Sequence, residues 1–161
     1  RQPDQRRVLV TVLSRKTVRK EVGAGLETVL VGTGLPCAAV YSYQVGKLGG
    51  MSPVVEVLSG TINRPFAGMG TKRYESDMTL EIHILVYDGQ VNQPFTDEQK
   101  EDAADDIEAI VAQWVADHQR GTNYRAVRFA EEQSQRAEVK MLDGNPYMIE
   151  ILKLEVEAPD L

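Results

Sequence analysis

The chain has 161 residues, 42% of them hydrophobic and 26% charged, with a formal net charge of −6; that is the make-up of one soluble globular domain. The single cysteine, Cys37, excludes an intrachain disulfide and a zinc site built on cysteines of one chain, and the negative balance argues against a general nucleic-acid binder. No apolar run approaches the roughly 18 residues of a membrane span, and Arg15 and Lys16 interrupt the segment after Arg6-Arg7 before a secretory leader forms.

In chain order, Val18, Val22, Leu26, Val29 and Leu30 repeat at helical spacing and predict a helix over 14–31, capped by Ser14 and stopped by Gly32 and Gly34. Gly23 and Gly25 weaken its middle by about 1 kcal/mol each relative to alanine, which makes a break there an expectation. Cys37–Tyr43 reads as a strand, 44–53 (QVGKLGGMSP) as a flexible loop long enough to reach beyond the domain to a partner, and Val54–Thr61 as the next strand. Met78–Tyr87 alternates cleanly, with Leu80, Ile82, Ile84 and Val86 on one face and Thr79, Glu81 and His83 on the other.

Thr96 and Gln99 form a capping box that opens a second helix. Ile107, Ile110, Val111, Trp114, Val115 and His118 give it an apolar stripe, and Gly121 is the expected stop. Three further strands follow over 124–130, 134–142 and 146–157, the last two joined by the turn Asp143-Gly144-Asn145. The order helix, three strands, helix, three strands predicts an α+β fold: a mixed, antiparallel-rich sheet with helices on one face and long inter-strand loops.

Charge is unevenly spread. Residues 1–36 hold seven cations and three anions, whereas 97–118 hold eight anions and one cation. The expected poles are a basic face of Arg15, Lys16, Arg19 and Lys20 and an acidic helix face of Glu98, Glu101, Asp102, Asp105 and Asp106. Opposed charge of this kind steers like subunits head to tail; it is equally what two solvated faces look like. The acidic residues also suit the positive end of the helix dipole. Carboxylates so crowded are hard-cation ligands in principle, but a dipole-favoured, solvated helix start is the plainer reading, and no metal is assigned.

The loop TINRPFAGMGTKRYESD (61–77) offers Arg64, Phe66, Met69, Lys72 and Arg73 to a partner, with Gly68 and Gly70 as bends. It fails as a phosphate loop because Thr precedes Lys and a strand follows. His83 and His118 have neither a nearby nucleophile nor metal-ligand spacing, so a structural role is expected for both. Arg125, Arg128, Arg136 and Lys140 alternate along the later strands as the wet side of a half-buried sheet.

The segments GGMSPVVEVLSGT (49–61), RPFAGMGTKRYESD (64–77), MTLEIHILV (78–86), FTDEQKEDAADDIEAIVAQWV (95–115) and YMIEILKLEVE (147–157) together resemble the tail terminator, or tail completion, proteins of long-tailed bacteriophages and tail-like particles. The resemblance spans about residues 14–157 and implies a single domain over 1–161 with 1–13 and 158–161 as flexible termini. It implies a homo-hexameric ring in the virion tail or neck, assembled in the host cytoplasm. Such a ring caps the tail tube, ends its polymerisation and docks the head-side connector or neck protein. It implies no enzyme activity, cofactor or membrane, and DNA only as passing cargo. The competing readings are another head–tail joining protein of related fold and, from a different class, a small-ligand-binding or enzymatic α+β domain. The last requires His83 beside a carboxylate in a closed pocket.

Overall fold

A computed structural model describes residues 14–63, 77–89, 95–131 and 135–157, with the side chains of 135–138 outside that set. Eight elements follow one another: α1 (Arg15–Leu30), β1 (Ala39–Tyr41), β2 (Val54–Asn63), β3 (Asp77–Tyr87), α2 (Asp97–Asp117), β4 (Ala126–Phe129), β5 (Gln135–Leu142) and β6 (Asn145–Glu157). This is the predicted α+β order.

α1 starts where Ser14 Oγ accepts the Thr17 N–H. Its stripe of Val18, Val22, Leu26 and Leu30 is fully buried. The helix is continuous through Gly23 and Gly25, against the expectation of a break. The reason is packing: a Cβ at Gly23 would collide with Ser42, and one at Gly25 with the indole of Trp114. The two glycines are where neighbouring chain comes too close for a side chain, so their unfavourable helix propensity is offset by contact.

The Thr96–Gln99 capping box is formed in both directions at the start of α2. The helix ends earlier than predicted, with His118 as its C-cap, whose N–H donates to the carbonyls of Trp114 and Val115. Gly121 instead lies against Tyr124 and Glu21, leaving no room for a Cβ.

The sheet runs β1-β2-β3-β6-β4, with β5 also on β6. Only β1–β2 is parallel; β2–β3, β3–β6, β4–β6 and β5–β6 are antiparallel. β1 is shorter than the predicted Cys37–Tyr43, because Cys37 makes only a single parallel bridge to Val31. β4 pairs with the C-terminal part of β6 and β5 with its N-terminal part, so the two share one edge. Asp143 and Gly144 both take positive φ (49° and 81°) and make the turn between β5 and β6, while Asn145, expected in the turn, already begins β6.

Both helices pack on one face. Val55, Val57, Leu80, Ile82, Ile84, Val86, Leu152, Leu154 and Val156 meet the stripes of α1 and α2 there in one continuous core. The opposite face carries a second, smaller core of Val54, Leu85, Tyr147 and Ile149. It is roofed by the 44–53 loop through Leu48, which is 5% exposed. The sequence reading of that loop as an outward-reaching arm is therefore corrected: its glycines turn the chain back onto the sheet.

Candidate functional site

The residues expected to grip a partner fall into three groups. Arg64, Phe66, Met69, Lys72 and Arg73 lie outside the described residues. The other two groups are the helix faces, and their placement follows from how the helices run. Glu21 of α1 accepts N–H groups of Thr122 and Asn123, just past the end of α2, while Gly25 meets Trp114 further back. The helices are thus antiparallel.

The start of α1 sits beside the far end of β2, where Arg15 donates to the Gly60 carbonyl at 3.3 Å and Arg19 to Ser59 Oγ at 3.2 Å. The start of α2 sits at the exit of β3, where Lys100 is clamped to Asp88 and, at 2.9 Å, to Asp97. Ser59 is level with Leu80 on β3, so the two helix starts are about 25 Å apart along the strands. They are also on different sides, since α1 covers β1 and β2 whereas α2 covers β3 and β4. Arg15, Lys16 and Lys20 are exposed and Arg19 half-buried. Glu98, Glu101, Asp102, Asp105 and Asp106 are all exposed. A basic patch and an acidic patch therefore stand at diagonally opposite corners of the helical layer. Among the described residues no group of three His, Cys, Asp or Glu side chains is placed to hold a metal ion.

Lys100, the one cation in the acidic helix, is 4% exposed. The hydrogen bonds that it donates to the Asp88 and Asp97 carboxylates hold its pKa above the ordinary lysine range and outweigh the opposing effect of burial. It fixes the acidic face to the sheet. Nothing in its sequence surroundings distinguishes it from a solvated lysine.

The polar half of the sheet's open face holds Glu56, His83 and Glu81. Glu56 and His83 are register partners on β2 and β3. Glu56 is 2% exposed and accepts the Val45 N–H. Burial pushes its pKa up, against the Val45 N–H and the nearby His83, which pull it down. His83 Nε2 is 3.1 Å from Glu81 Oε2. Further along, Arg125 pairs with Glu157 at 3.0 Å, and Arg128 with Glu155 at 3.2 Å and Glu157 at 2.9 Å. The two arginines hold the Glu157 carboxyl below its usual range. These pairs are largely wet and contribute at most about 1 kcal/mol each. Arg136's side chain lies outside the described set; Lys140 is exposed.

Two shallow grooves cross this face, of about 170 and 460 Å³, sharing Thr61, Thr79 and Glu155. Glu81 lines the larger; neither is lined by His83 or Glu56. His83 thus stands beside carboxylates, and neither of these two grooves reaches it. His118 stacks on Trp114 with ring centroids 4.5 Å apart, and its Nδ1 is 2.9 Å from the Trp114 carbonyl. Its place is that of a helix cap.

Glu56 yields a prediction. A group whose folded pKa is raised makes the folded state the better proton binder, so its carboxylate subtracts stability above that pKa and the penalty fades as pH falls through it. Glu56→Gln keeps an acceptor for Val45 and removes the charge. Urea titrations should find it more stable than the parent at pH 8, with the gap narrowing toward pH 5. A gap that does not change with pH refutes the charge argument. Glu56→Leu should lose about 1–3 kcal/mol by stranding the Val45 N–H.

No family model matches the chain, and no curated protein sequence does. One solved structure, of a protein whose name describes no activity, is similar with a TM-score of 0.50 and 15% identity, over 93% of this chain and 100% of that one. At that identity the likeness concerns the fold alone.

Proposed function

We propose that this chain is a non-enzymatic virion assembly protein, a tail terminator whose copies join head to tail in a ring that closes the tail tube and receives the head-side connector. The observation that carries the proposal is the diagonal placement of the basic start of α1 and the acidic start of α2. A ring needs a heterologous contact in which one patch meets a different patch on the next copy. Corners of opposite charge on opposite sides of one molecule supply such a pair and disfavour like-with-like docking. The resemblance to tail terminators supplies the context: tail tube protein below, neck protein above.

Native mass spectrometry of the purified protein, alone and with tail tube protein, tests the assembly. Lys16→Glu with Lys20→Glu should abolish rings, as should Glu98→Lys with Asp102→Lys and Asp106→Lys. The chain carrying both sets should form them again. All five positions are exposed, so melting should shift by no more than about 0.5 kcal/mol per site. Rings that survive both single sets, or a strict monomer with no affinity for tube ends, would sink the reading.

A further inference from the structure

One edge of the sheet is open beside the acidic corner. Among the described residues β5 bonds only β6, so its outer side is a template for another strand. Proteins usually blunt such an edge with charge or proline. Here it carries Val139 and Met141, 49% and 64% exposed, two of the five large apolar side chains exposed among the described residues. The strand ends at the start of α2. Met141 pairs with Pro146, the Pro146 carbonyl accepts the Asp88 N–H, and Asp88 clamps Lys100. Two strand spacings, about 10 Å, therefore separate Met141 from the anchor of the acidic face.

A matching piece of chain leads into the basic corner. Residues 1–13, expected as a flexible terminus, lie outside the described residues and read RQPDQRRVLVTVL. After Arg6 and Arg7, Val8–Leu13 is rich in β-branched residues, with Thr11 its one polar member, which is the make-up of a strand. Ser14 then caps α1, whose first turns hold Arg15, Lys16 and Lys20. Fully extended, 8–13 covers about 20 Å. In its own copy the level of Met141 is about 25 Å from the start of α1 along the strands, and β5 lies three strands across from β2. The run is spent before it reaches Met141 of the same chain, so only another copy's β5 can take it along its length.

Direction agrees with that transfer. α1 starts level with Gly60 and leads to the Val31–Cys37 bridge just before Ala39, the partner of Val54, so it runs against β2. β3 runs against β2, β6 with it and β5 against it, so α1 and β5 point the same way. A second copy is set diagonally and without inversion when its basic corner meets the acidic corner of the first. Its residues 8–13, continued straight back from α1, then lie alongside β5 and parallel to it. Leu13 comes near Met141, and Arg15 and Lys16 come beside Glu98 and Asp102.

We infer that Val8–Leu13 of one copy adds as a parallel strand to the open β5 edge of the next. Main-chain hydrogen bonds hold it, Val139 and Met141 give it apolar contact, and the opposed charges set its direction. The contact is heterologous and repeats at every junction of a ring. It deepens the proposed function, resting on its self-association part and not on any phage partner.

Engineered cysteines in the full chain test it. The native Cys37 is buried and its thiol pushed up to about 12, so it stays silent toward mild oxidant. The chain carrying both Val12→Cys and Met141→Cys, treated with diamide and blocked before denaturation, should give a ladder of covalent multimers that collapses on reduction. Each single variant should stay monomeric on the gel. A dimer from Met141→Cys alone would mean that two β5 edges pair across a two-fold axis, and would overturn the inference. An intrachain disulfide in the chain carrying Val12→Cys and Thr61→Cys, seen as a faster monomer band lost on reduction, would lay the run on its own β2 and overturn it equally. Rings seen by native mass spectrometry in a Val12→Cys, Met141→Cys chain that does not cross-link remove the added strand and leave the ring standing. No oligomer by either measurement removes both.

Discussion

Replacing Trp114 by alanine should lower stability by about 3–5 kcal/mol, the largest loss expected for any single side chain of the helical layer. Trp114 is 5% exposed and holds three things at once. Its ring fills the space left by Gly25 in α1, stacks on His118 at the end of its own helix, and belongs to the core against the sheet. Removing it leaves a cavity between α1 and α2 that neither backbone can close, because both are pinned to the sheet by their own stripes. The reciprocal change is the sharper probe. By helix propensity Gly25→Ala gains about 1 kcal/mol. By packing it drives a methyl into the indole, and overpacking of this kind costs about 1–3 kcal/mol. Chemical denaturation of both variants decides: a Trp114→Ala loss under about 1 kcal/mol, or a Gly25→Ala gain, would mean that α1 and α2 do not meet as described.

Those glycines also show where the sequence stopped being informative. Periodicity located both helices and β3, because each apolar residue of α1 and β3 reports its own exposure, whereas the other strands were read from β-branched and aromatic runs between turn residues. Val18, Val22, Leu26 and Leu30 can share only one helix face. The capping box and the Asp143-Gly144 turn are local rules that tertiary structure left alone. Gly23 and Gly25 looked like breaks because their justification, Ser42 and Trp114, lies in other elements. Gly121 looked like a helix stop, whereas its contact is with Tyr124 and Glu21. Glu56 inside VVEVL reads as one more strand residue; that it receives the Val45 N–H from the 44–53 loop is a contact between distant segments.

The candidate site divides in the same way. The charges of α1 and α2 were countable in the sequence. That they occupy opposite corners required the antiparallel packing of the helices, a long-range fact carried by Glu21 and Trp114. Lys100 sits in a run of carboxylates and reads as one more surface charge. Only the return of β3 to Asp88 shows it as the anchor of the acidic face.

Tyr147→Ala is expected to rank with Trp114→Ala, again at about 3–5 kcal/mol, but through the second core. Tyr147 is wholly buried on the face away from the helices, its ring 5.6 Å from that of Tyr87 in an edge-on contact. Its hydroxyl donates to the Met51 carbonyl at 3.1 Å and so ties down the 44–53 loop. The alanine change therefore removes both the floor under Leu48 and the tether at Met51. Tyr147→Phe removes the tether alone and should cost about 0.5–1.5 kcal/mol. Hydrogen exchange separates the two: amides of the 44–53 loop should exchange faster in both variants, whereas those of β3 and β6 should do so only in the alanine variant. If the loop amides are unchanged in Tyr147→Phe, the Met51 tether is not what holds the loop. If Tyr147→Ala melts within about 1 kcal/mol of the parent, the second core is not a core, and the 44–53 loop regains the outward reach that its glycines suggested.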